Sequence, residues 1–89
     1  MKSDTDDMGI VGAVMTELVR AEGLYPPMRS AHEGYAVLLE EVRELEREVF
    51  WGTADGRRRE AIQVAAMAMR FLADICEREA AEPALPRLL

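Results

Sequence analysis

Residues 61–76 read AIQVAAMAMRFLADIC, a run that only Gln63, Arg70 and Asp74 interrupt. A helix that is apolar on most sides belongs at the centre of a bundle, with neighbours on more than one face. The run therefore predicts a central third helix, from about Arg57 to Arg78. No segment alternates with the two-residue period of a strand, and no internal repeat is present. The fold class that follows is all-α.

Upstream, Gly52–Gly56 is a turn, with Thr53 or Asp55 available to cap the helix after it. Before the turn, Tyr35, Leu38, Val42, Leu45 and Val49 follow alternating spacings of three and four. That is a packing seam of about two heptads on a second helix ending near Trp51. Ser30 and Glu33 form an S-x-x-E capping box at its start. Pro26-Pro27 cannot continue a helix and favours extended backbone. A first helix is expected from Met8 to about Glu22, with Val11, Val14, Met15, Leu18 and Val19 on one apolar face. Asp6 or Asp7 is placed to cap it, and Gly23 to stop it. The expected organisation is a single all-α domain over residues 8–79, between flexible ends at 1–7 and 80–89. One copy of a three-helix chain does not surround its central helix, so a homo-dimer sharing one bundle is expected.

The chain has 89 residues and a formal net charge of −6. This acidity disfavours nonspecific binding to nucleic acid or to an anionic membrane. Phosphate-bearing ligands stay open to it when a cation bridges them. Cys76 is the single cysteine, and it reads as a small core residue rather than a ligand or a disulfide partner. Met1–Asp7 lacks the basic start and apolar stretch of a signal peptide, and no apolar run approaches a membrane span. The expectation is a cytoplasmic protein.

The acids carry the chemistry. On a helical wheel of about 100° per residue, Glu41 lies about 60° from Leu38, with Glu44 and Glu48 farther round on the same side. Glu40 falls near the opposite face and is expected in solvent. On the third helix, Glu60, Gln63, Met67 and Asp74 form a stripe bordering the core, with Arg70 on the same side. Two such stripes facing across a helix pair gather carboxylates that repel and raise one another's pKa. A divalent cation neutralises such a group, and Mg²⁺ takes oxygen ligands while bridging to phosphates. By spacing alone the same acids describe a solvated or salt-bridged face, paired with Arg43 and Arg47, more readily than a metal site. Arg57, Arg58 and Arg59 open the third helix, where positive charge opposes the helix dipole. A nucleotide phosphate, Asp55 or the acids of the second helix would each offset that cost. His32 reads as a local packing or capping residue, and Phe50 and Trp51 as core or interface aromatics.

The segments Ser30–Leu45 and Arg59–Leu72 together resemble the MazG-like all-α nucleoside triphosphate pyrophosphohydrolases, in particular their short phage- and prophage-type members. That family's pattern is E-E-x-x-E, a connector, then E-x-x-D. The resemblance implies an oligomeric helical bundle that binds Mg²⁺ and cleaves nucleoside triphosphates to monophosphate and pyrophosphate. It implies that Glu41, Glu44 and Glu60 hold the metal, with Glu40 or Glu44 orienting the attacking water. Arg57, Arg58 and Arg59 are then placed for the pyrophosphate. Gln63 stands where the family has Asp, and it brings a carbonyl ligand without a charge. The departure predicts a weakened site, or a catalytically inactive helical interaction module that kept the fold.

Overall fold

The structure, a computed structural model, describes residues 6–82. Among them it is helical, with α1 (Asp7–Leu24), α2 (Ala31–Trp51) and α3 (Ala54–Phe71) in chain order. The last helix passes through a π-helical stretch, Leu72–Cys76, into a short α4 (Glu77–Ala81). There the Glu77 N–H bonds to the Leu72 carbonyl, one residue beyond the α-helical spacing. No strand occurs among the described residues. The expected loose ends lie mostly outside those residues, but helix begins at Asp7 and extends to Ala81.

Side chains set the helix starts. Asp6 accepts from the Gly9 N–H at 2.7 Å, Ser30 from the Glu33 N–H at 3.1 Å and Thr53 from the Gly56 N–H at 2.9 Å. The capping box at Ser30 is only half made: the Glu33 carboxylate turns to Arg29 Nε at 3.0 Å. Gly23 does not stop α1, because the helix runs one residue past it to Leu24. The exit is at Tyr25, whose extended backbone (φ −125°, ψ 144°) is the conformation that a following proline imposes. At the other turn Glu48 folds back over its own helix end. Its Oε2 accepts from the Thr53 N–H at 3.1 Å, and its carbonyl from Arg57 Nη1 at 3.3 Å. A Cβ on Gly52 or Gly56 would run into the Glu48 side chain.

α3 packs against both α1 and α2, as an apolar run requires of a central helix. The buried core is Leu18 and Ala21 from α1 with Ala66 and Met67 from α3. Val14, Val37, Leu38 and Met69 pack around it. Met28, in the linker before α2, and Ile75 are each 1% exposed.

The seam expected on α2 is rotated. Leu38 and Leu45 are half-buried, but Tyr35, Val42 and Val49 are exposed at 62%, 42% and 51%. The inward face instead carries Gly34, Val37, Leu38, Glu41, Glu44 and Glu48, about 90° round the wheel toward the acids. The rotation goes with a close contact: Gly34 is pressed against Phe71, where a Cβ would lie 2.6 Å from a ring carbon. Only a residue without a side chain lets α3 approach α2 on that flank. The exposed half of α1's apolar face is likewise unpaired within one copy, with Val11, Met15 and Val19 in solvent.

Candidate functional site

A cleft of about 560 Å³ opens between the three long helices and the linker Tyr25–Arg29. Two helical stripes floor it. From α2 come Glu33, Val37, Glu40, Glu41 and Glu44; from α3 come Arg59, Glu60, Gln63, Met67 and Arg70. Steps of three and four along each helix place these residues on one face. Because α2 and α3 run antiparallel through a short turn, Glu44 meets Glu60 near the turn. Met28 and Arg70 then fall at the other end.

At the turn end, Glu41, Glu44 and Glu60 each bring a carboxylate oxygen to within 4.8 Å of the others. All three are half-buried. Burial pushes the Glu41 carboxyl up to about 7, and the charges of Glu44, Glu60 and Glu40 act in the same direction. Glu60 is also raised, by burial first and then by Glu44, while Arg59 opposes the shift. Glu40 is exposed, as its wheel position requires, yet lines the rim of the cleft.

Gln63 sits beside this group, in the same cleft as Glu17 of α1. Glu17 holds two bonds from Arg20, at 2.8 and 2.6 Å. Those bonds, helped by the Gln63 amide and working against burial, keep its carboxyl below the usual range. Of the three arginines expected at the phosphates, only Arg59 borders the cleft. It lies 3.5 Å from Glu60 and 3.6 Å from Glu48. Arg57 is turned to the Glu48 carbonyl, and Arg58 lines a separate groove between α1 and α3. One turn of helix separates three consecutive residues by about 100° each, so they cannot share one face. His32, Phe50 and Trp51 are exposed and line none of it. Cys76 is half-buried, in keeping with a packing role.

The far end holds what the pattern did not reveal. Arg70 is 5% exposed. Its Nη2 donates to the Pro26 carbonyl at 2.9 Å, its Nη1 only to Met67 Sδ at 3.6 Å, and its Nε has no partner. Asp74, one turn on, is 3.9 Å from Arg70 and accepts from the Met28 N–H at 2.9 Å. Arg70 and Asp74 thus clamp the linker onto α3 and wall this end. The readable signal was the i, i+3, i+7, i+10 series Glu60, Gln63, Met67, Arg70. What the series meets is set by the linker's path, which sequence spacing does not give.

No protein-family model, curated protein or solved structure matches this chain.

Proposed function

We propose that this chain is a Mg²⁺-dependent pyrophosphohydrolase, converting ribo- or deoxyribonucleoside triphosphates to the monophosphate and pyrophosphate. The observation that carries the reading is the convergence of Glu41, Glu44 and Glu60 from two helices at one end of a nucleotide-sized cleft. Three carboxylates held half-buried and mutually repelling fit a hard cation that takes oxygen ligands. The resemblance of residues 30–45 and 59–72 to MazG-like enzymes supports the same assignment.

Glu41, Glu44 and Glu60 would hold the metal, with the Gln63 carbonyl as a neutral fourth donor. When bound, Mg²⁺ supplies positive charge to phosphate oxygens and acidifies a coordinated water. Water adds to the α-phosphorus, the bond to the α–β bridging oxygen breaks, and pyrophosphate leaves. Glu40, free at the rim, or Glu44 accepts the water proton. Arg59, the one arginine of its triplet at the cleft, neutralises charge on the departing pyrophosphate.

A second reading is an inactive helical interaction module. Gln63 favours it, because a missing anion weakens cation binding. The stripe Tyr35, Val42 and Val49 is an apolar face left exposed in one copy. Under either reading we propose a homo-dimer that covers that stripe.

Mg²⁺-dependent pyrophosphate release from a panel of triphosphates separates the two. Release that disappears in Glu41→Gln supports the hydrolase. Silence in the native chain with activity in Gln63→Asp marks a centre disabled at that residue. Silence in both leaves the interaction module.

A further inference from the structure

Arg70 is a buried cation whose hydrogen bonds are mostly unmade. A guanidinium carries five N–H donors and no acceptor. Only one of the five donors reaches an oxygen at ordinary length, the one on Nη2 that bonds the Pro26 carbonyl. The contact to Met67 Sδ is weak, Asp74 stands off at 3.9 Å and is occupied by the Met28 N–H, and Nε is bare. Buried polar groups are nearly always satisfied, and each exception calls for an explanation. Arg70 also lines the cleft, at the end away from the carboxylates.

The position along α3 says which part of a ligand that is. Arg70 lies ten residues beyond Glu60, about 15 Å along the helix. Between the two ends the ligand would lay its base, its sugar and the α-phosphate. Part of the wall between takes a flat ring: Ala21, Val37, Met28 and Met67, with Tyr25 and Pro26 beside them. Methionine pairs well with aromatic rings. A base entering with its sugar toward the acids presents its far edge to Arg70. On that edge lies C6 of a purine or C4 of a pyrimidine. A donor-only group donates to a carbonyl there and is mismatched to an amine.

We infer that the Arg70 end of the cleft binds a nucleobase through the carbonyl on its far edge, so that the protein selects keto bases over amino bases. This rests on the nucleotide reading above.

The test is calorimetric titration of the full chain, with Mg²⁺ present, against two matched pairs. Inosine and adenosine monophosphates differ at C6, and uridine and cytidine monophosphates differ at C4. The keto member of at least one pair is expected to bind about tenfold or more tightly, the cost of leaving a buried donor unpaired. Arg70→Lys, which keeps the charge but loses the planar fork, should reduce that ratio. If Arg70 only holds the linker, both members of a pair weaken together and the ratio stays, which overturns the inference. Equal binding within both pairs in the native chain, or no binding of any of the four, overturns it without a variant. A keto preference without pyrophosphate release would remove the hydrolase reading and leave this subsite standing. Release without a preference would do the reverse.

Discussion

At Glu41, burial and three neighbouring carboxylates act in one direction, and the result is a group that titrates near neutrality. A carboxyl whose folded pKa lies above its unfolded value favours folding when protonated. Its contribution is present below the unfolded pKa, near 4.5, and is lost as pH rises through about 7. Native stability should therefore fall across that window. Glu41→Gln should flatten the fall and stabilise the fold at pH 8 by about 1–2 kcal/mol, after discounting for partial exposure. Urea unfolding at pH 5 and pH 8 measures this, and equal slopes for both proteins would contradict it. Gly34 is the other residue on which much depends. Alanine there favours helix by about 1 kcal/mol, yet its Cβ would meet the Phe71 ring. Overpacking outweighs propensity, so Gly34→Ala should destabilise by about 1–2 kcal/mol in the same assay.

At the level of the helices, the sequence was most legible where the signal is local. The S-x-x-E at Ser30 and the threonine at position 53 mark true helix starts. Ser30→Ala should cost about 1 kcal/mol, read as a lower urea midpoint with an unchanged slope. The proline pair ended α1 where Gly23 did not, since a glycine only permits a stop whereas Pro26 imposes extended backbone on Tyr25. The central place of α3 was readable from residues 61–76 because an all-round apolar run admits few positions. The rotation of α2 was not. A wheel centred on Tyr35, Val42 and Val49 finds the most apolar face, but the face that packs is the one with Gly34 against Phe71. That same rotation brings Glu41 and Glu44 inward, so the acidic cluster was legible in composition and the exact depth of its burial was not. The arginine triplet shows the limit of reading adjacent residues as one group, since only Arg59 reaches the cleft.

Across the whole molecule, two features lie outside any single helix. The linker is tied to α3 by Arg70 on Pro26 and by Asp74 on Met28. Asp74→Ala removes one acceptor and the carboxylate nearest a buried cation. It should cost about 2 kcal/mol or more in unfolding experiments. The second feature is the apolar surface left over: Val11, Met15 and Val19 on α1, and Tyr35, Val42 and Val49 on α2. Under the proposed dimer a second copy covers the α2 stripe, and light scattering at micromolar concentration should give twice the chain mass. Val42→Glu, placed in the middle of the α2 stripe, should shift that mass toward one chain while leaving the helical circular dichroism unchanged.

The arrangement of Glu41, Glu44 and Glu60 is best tested by thermal unfolding at pH 8 with increasing Mg²⁺. A ligand held only by the folded state raises the melting temperature as it saturates. At about ten times the dissociation constant the rise should be about 5 °C or more for a domain of this size. It should disappear in Glu41→Gln and in Glu60→Gln. A native protein whose melting temperature does not move at millimolar Mg²⁺, with or without nucleotide, would contradict the metal centre. So would a rise that survives both substitutions.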